Sequence, residues 1–96
     1  MKSKFLKKAA ERITPEERAL RVKHLEIVSQ IHSILERRKI TQRRFSEMLN
    51  ISEAAISKIL SAGGNLEMKT IVKFELVLGE SILLTPQNVF DRITKK

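Results

Sequence analysis

The sequence predicts an all-α fold, a compact helical bundle led by one long helix, and two observations carry that prediction. Apolar residues recur at i, i+3 and i+4 along most of the chain, the period of a helix with one buried face. Helix starts and stops fall where each periodic stretch begins and ends: Thr14 with Pro15, Thr41, Ser52 and Thr85 with Pro86 are starts, and Asn50 and Gly79 are stops. With 96 residues the chain makes one small domain that buries roughly two thirds of its unfolded surface. A dimer partner would supplement so small a core. No repeat or low-complexity linker interrupts it, so a second domain is not expected.

Residues 1–13 hold Lys2, Lys4, Lys7, Lys8 and Arg12 against the single acid Glu11, with Phe5, Leu6, Ala9, Ala10 and Ile13 at helical spacing. This basic segment reads as a frayed, solvated terminus, as an arm that follows phosphates, or as a segment that folds only on a protein partner. A membrane-surface helix is a weaker reading, because only Phe5 and Leu6 offer much apolar burial. Thr14, Pro15 and Glu17 then form a helix start, with Thr as N-cap, Pro at the first position and Glu closing a capping box. From there Leu20, Leu25, Ile27, Val28, Ile31, Ile34 and Leu35 sustain an apolar stripe to about Arg38. The half from Val28 onward is expected to pack beneath the elements that follow. Leu20, Leu25 and Ile27 lack obvious cover within the chain, the usual mark of a surface that meets a second chain. Arg37, Arg38 and Lys39 suit the negative end of the helix dipole as well as they suit a phosphate.

Residues 40–62 read as two short helices joined by a tight turn. Thr41 caps the first, whose buried face is Phe45, Met48 and Leu49, and Asn50 stops it, since Asn tolerates the left-handed conformation better than any residue but Gly. Ser52 caps the second, with Ile56, Ile59 and Leu60 inward. Glu53, Ala54, Ser57, Lys58 and Ser61 are small or polar and fall outside that face. A face of this kind suits a helix that enters a DNA major groove about 12 Å wide.

Gly63 and Gly64 supply loop freedom, and Asn65 is expected to cap a further helix beginning near Leu66. That helix should turn Met68, Ile71, Val72, Phe74 and Leu78 inward and stop at Gly79, with Leu76 on another side as a partner contact. Ile82, Leu83 and Leu84 fit either a short strand or an irregular apolar segment. Thr85 and Pro86 start a short final helix bearing Val89, Phe90 and Ile93.

Thr41, Gln42, Phe45, Leu49, Ser52, Ile56, Ser57, Lys58 and Ile59 together resemble the helix-turn-helix of the Cro/repressor-like XRE family of DNA-binding regulators. The likeness continues through 65–79, similar to the helix that follows the reading head in that family, and so covers about 15–83. It implies a bundle of the lambda-repressor-like DNA-binding type, with a basic segment at 1–13, a DNA-binding domain at 14–84 whose motif spans 41–61, and a C-terminal helix or tail at 85–96. Ser46 stands where the family usually has Ala, and Asn50 where it usually has Gly; both are small enough to fit. The loop 61–64 lacks the basic residues that many relatives carry there.

Carried onto this chain, the resemblance places base contacts at Glu53, Ala54, Ser57 and Lys58. Their chemistry suggests the partners: Lys58 donating to guanine acceptors, Glu53 accepting from cytosine N4, Ala54 meeting a thymine methyl. Glu53 equally suits the positive end of its own helix. Phosphate contacts are expected from Thr41, Gln42, Arg43, Ser52, Ser61 and Lys69, with Arg44 a further candidate. The helix-turn-helix region, including the long leading helix, is also similar to single-domain antitoxins of the HigA type. The implied function is a transcriptional regulator of repressor type that binds double-stranded DNA as a homodimer, with an antitoxin that neutralises a toxin protein and autoregulates its operon as the alternative.

Composition narrows the field further. A formal charge of +8 and a pI near 10.2 favour polyanionic partners. Cysteine is absent, which removes disulfides, thiolate nucleophiles and Cys-type zinc sites. His24 and His32 are not at the i, i+4 spacing of a zinc pair, so no metal site is expected. No set of nucleophile, base and oxyanion donor can be assembled, so no enzyme is expected, and neither a cofactor nor a small-molecule ligand is implied. No apolar run approaches a membrane span or signal peptide, which leads to the expectation of a cytoplasmic protein without membrane contact.

Overall fold

The computed structural model describes residues 13–94, and among them every regular element is a helix. They are α1 (Pro15–Arg37), α2 (Gln42–Leu49), α3 (Glu53–Ile59), α4 (Met68–Leu78) and α5 (Pro86–Thr94). The basic segment expected at 1–13 lies, apart from Ile13, outside the described residues.

The caps explain where the helices start. Thr14 Oγ1 accepts the amide of Glu17 at 3.0 Å, Pro15 takes the first position, and Glu16 and Glu17 sit at the positive end of the dipole. Thr41 Oγ1 accepts from Arg44 N at 3.0 Å, and Ser52 Oγ from Ala55 N at 3.0 Å. At α5 the cap is reciprocal, Thr85 Oγ1 accepting from Asn88 N at 3.1 Å while Asn88 Oδ1 accepts from Thr85 N at 3.3 Å.

Two of the stops share one geometry. After α1, Lys39 N donates to Glu36 O at 3.1 Å and Ile40 N to Leu35 O at 2.8 Å. After α2, Asn50 N donates to Glu47 O at 3.1 Å and Ile51 N to Ser46 O at 3.0 Å. These are paired Schellman bonds, which require a left-handed residue, and Lys39 and Asn50 both have φ 57°. Asn50 tolerates that conformation, whereas Lys39 adopts it against the clash of its Cβ with the following carbonyl. Arg37 and Arg38 then fasten the end of α1 to the end of α4: Arg37 pairs with Glu80, and Arg38 donates to the carbonyl of Leu78. The basic run is thereby structural at two of its three positions.

The core forms where α1, α2, α3 and α4 meet. Val28, Ile31, Ile34 and Leu35 of α1 lie against Phe45, Ile56, Leu60, Phe74 and Leu78. At its centre the Phe45 and Phe74 rings, both essentially inaccessible, meet edge to face at 5.0 Å between centroids. Ser46 is buried too, and its hydroxyl donates to Arg43 O at 2.6 Å, so a hydroxyl fits where a methyl is usual.

Three expectations need correction. Asn65 caps nothing: Gly64 N donates to Ser61 O at 3.0 Å, Leu66 is drawn onto the core, and no regular element begins before Glu67, which occupies the N-cap position of α4 without a side-chain cap bond. The core takes Ile71, Phe74 and Leu78, and Met68 and Val72, expected inward, are exposed in line with Leu76 at i, i+4 and i+8. Ile27, expected to lack cover, packs against the core, while Leu20 and Leu25 remain exposed. Of the two readings of 82–84 the irregular one holds, because the Glu75 carboxylate accepts from Ile82 N at 2.7 Å and Leu83 N at 3.0 Å and ties the segment to α4. The final helix forms as expected, with Val89, Phe90 and Ile93 exposed.

The left-handed conformation at Lys39 generates a test. Lys39→Gly should raise the unfolding free energy by about 0.5 to 1 kcal/mol, since removing the Cβ relieves a clash of roughly 1 to 2 kcal/mol while the unfolded chain gains entropy. Urea denaturation of both proteins at equal slope measures the difference.

Candidate nucleic-acid interface

The turn at Asn50 fixes the geometry of the site. Because one residue reverses the chain between Leu49 and Ile51, α3 packs across α2 with Ile56 fully buried, and everything on the far side of α3 faces solvent. Lys58 follows Ile56 by two positions, about 200° around the helix. Glu53, Ala54, Ser57 and Lys58 are all exposed, so the residues expected to meet bases share the outward surface of one short helix.

The amino end of α2 contributes next. Gln42 and Arg43 occupy the first two positions, whose amides a helix leaves without an intrahelical acceptor. Thr41 Oγ1 already accepts the amide of Arg44, which leaves its own hydroxyl proton to donate, and Ser52 Oγ stands in the same relation to Ala55 N. Ser61 differs: its hydroxyl donates to Lys58 O at 2.7 Å, so in this conformation it offers a phosphate no proton.

Charge on this surface is more balanced than the whole chain suggests. Arg43 and Arg44 both lean on Glu47, at 3.7 and 3.4 Å, and Lys69 lies 3.6 Å from Glu67. These pairs are more than half exposed and worth little, so a phosphate can displace the carboxylate at small cost.

One residue set aside in sequence as a non-ligand has a structural task here. His24 is buried, and its Nε2 lies 2.9 Å from Ser61 O. A carbonyl only accepts, so the imidazole carries its proton on Nε2 and donates it. The bond ties the amino half of α1 to the residue that closes the motif. A signal was present: His24, Val28, Ile31 and Leu35 fall on one helical stripe, and a polar residue inside an apolar stripe calls for a buried partner. Gly64, two residues past the loop's start at Ala62, stands where a Cβ would run into the backbone carbonyls of Lys58 and Ile59, at the end of α3.

Two capped helices, a left-handed turn between them and a polar outer face on the second define a helix-turn-helix reading head. A family model described as Helix-turn-helix matches residues 31–84, more than half of the chain, and the chain belongs to that family, as a DNA-binding regulator of the Cro/repressor-like XRE kind. No curated protein and no solved structure matches it. Among the described residues no helix is long and apolar enough to cross a membrane.

The two loop glycines separate by substitution. Gly64→Ala should destabilise the fold by about 1 to 3 kcal/mol and weaken DNA binding, because the end of α3 must shift to admit the methyl. Gly63→Ala, whose Cβ would meet nothing within 4 Å, should leave the stability of the fold within error. Thermal melts with a DNA titration of each variant measure the contrast.

Proposed function

We propose that the chain is a sequence-specific transcriptional regulator that acts as a repressor, reading the major groove with residues 53–60. The observation that carries this reading is the outward face of α3, where Glu53, Ala54, Ser57 and Lys58 stand exposed on a helix anchored from behind by Ile56. Lys58 donates to guanine, Glu53 accepts from cytosine N4, and Ala54 meets a thymine methyl. Thr41, Gln42, Arg43, Ser52 and Lys69 set the register on phosphates, and Ser61 joins them once its hydroxyl rotates away from Lys58 O. Holding an operator excludes other proteins from it, which is the simplest route to repression.

One reading head touches too few base pairs for useful specificity, so the working form is a homodimer on two half-sites about 34 Å apart or a multiple of that. The stripe Met68, Val72 and Leu76, exposed on α4, supports a second chain as its cover. A second reading, the antitoxin of a toxin-antitoxin pair, draws on the apolar residues left over elsewhere: Leu20 and Leu25 on α1, and Phe90 and Ile93 on α5, each more than half exposed. More than one apolar face suits more than one protein partner. A small toxin-like reading frame beside the gene, whose product co-purifies with this chain, would establish it; absence of both would remove it.

Salt and base preference test the primary reading together. A plot of log affinity against log salt should slope at roughly minus four or steeper for a dimer with five or more phosphate contacts, and a flat plot would sink the proposal. Lys58→Ala should cost about 1 to 3 kcal/mol on the preferred operator and relax the choice of base at one position per half-site. Gln42→Ala should weaken all sequences alike and leave the selected-site profile unchanged. The reverse pattern would mean that α3 sits in the groove in another orientation. Light scattering at tens of micromolar should show a dimer, at least when bound to operator.

A further inference from the structure

The loop that follows α3 carries no cation of its own. Residues 61–66 read Ser, Ala, Gly, Gly, Asn, Leu, and between 41 and 62 three basic side chains face two acidic ones. Two of those three, Arg43 and Arg44, are shared with Glu47. Beyond the loop, Lys69 is the next cation along the chain, and it lies 3.6 Å from Glu67.

Further cations stand beside this loop on the leading helix. His24 holds α1 over the loop through Ser61 O, and the cleft between them, about 290 Å³, is lined by Leu20, Arg21, Lys23 and His24 on one side and by residues 62–66 on the other. Arg21 lies about 4.5 Å along the helix axis from His24, and Lys23 is its immediate neighbour; about 200° apart around α1, the two flank His24 at the cleft. Both side chains are exposed, and neither is held in an ion pair among the described residues. At Gly63 a Cβ would meet only open space, so the loop backbone admits close approach of a bulky polyanion. This part of α1 lies outside residues 31–84, so the cations reach the loop from beyond the matched family region.

We propose that Arg21 and Lys23 are DNA-backbone contacts: with the 62–66 loop they form a phosphate-binding ridge beside the reading helix, and the His24 bond to Ser61 sets their position. The long leading helix thus widens the footprint of the reading head and supplies the charge that its loop lacks. This inference rests on the DNA-binding reading above.

The experiment measures the slope of log affinity against log potassium chloride on the selected operator for the full chain and three double variants. R21A/K23A should flatten the slope by about two for each bound protomer, near 0.9 per lost phosphate contact, and leave the selected-site profile unchanged. R21K/K23R, which keeps both charges, should retain the parent slope. R37A/R92A, which removes two cations engaged by Glu80 and Ser81, should also retain it. Where R21A/K23A lowers the melting temperature, R21Q/K23Q takes its place. A steep parent slope that R21A/K23A leaves untouched, or that R37A/R92A flattens equally, overturns the inference while the DNA-binding reading stands. A flat parent slope overturns both.

Discussion

The edge-to-face contact of Phe45 with Phe74 is the constraint on which the rest of the structure depends. Phe45 is the first large apolar residue of α2, Phe74 the middle of α4, and the two rings meet where α1 and α3 also converge. An aromatic pair of this geometry contributes about 0.5 to 1.5 kcal/mol beyond its area, and truncating either ring in a core costs about 3 to 5. Against a total stability of about 5 to 15 kcal/mol, that is a large share. The contact also has a directional effect. It fixes α2 relative to α4, and because Asn50 permits one chain reversal only, the position of α3 follows.

The outer face of α3 is therefore set from behind, by packing, and from its ends, by hydrogen bonds. Ser52 holds the amino end through Ala55 N, and at the carboxyl end Ser61 O is held by His24. Among the described residues no buried side-chain nitrogen or oxygen lacks a partner, so the polar groups admitted to the interior, Ser46 and His24, carry little desolvation cost. A reading head held on every side presents its side chains with little reorganisation on binding, which is what discrimination between bases requires.

Among the described residues several large apolar side chains remain exposed. Met68, Val72 and Leu76 make a continuous exposed stripe on α4, and Leu20, Phe90 and Ile93 stand at least 60% exposed elsewhere. The stripe is the face of α4 opposite Ile71, Phe74 and Leu78, which the core takes. Leu66, ahead of the helix, packs against the same core.

By itself the sequence determined the helices, the caps of four of them and the motif. Thr14, Thr41, Ser52 and Thr85 each cap the helix expected of them, Asn50 takes the left-handed turn, and Glu53, Ala54, Ser57 and Lys58 come out exposed, because these outcomes depend on residues within a turn or two of one another. Tertiary structure alone decided that Asn65 is not a cap, that Met68 and Val72 face out and Ile27 in, that Arg37 and Arg38 serve Glu80 and Leu78, and that His24 reaches Ser61. Each of these turns on a partner far along the chain, 37 residues away for His24, and local periodicity carries no information about which distant carbonyl or carboxylate a side chain will meet.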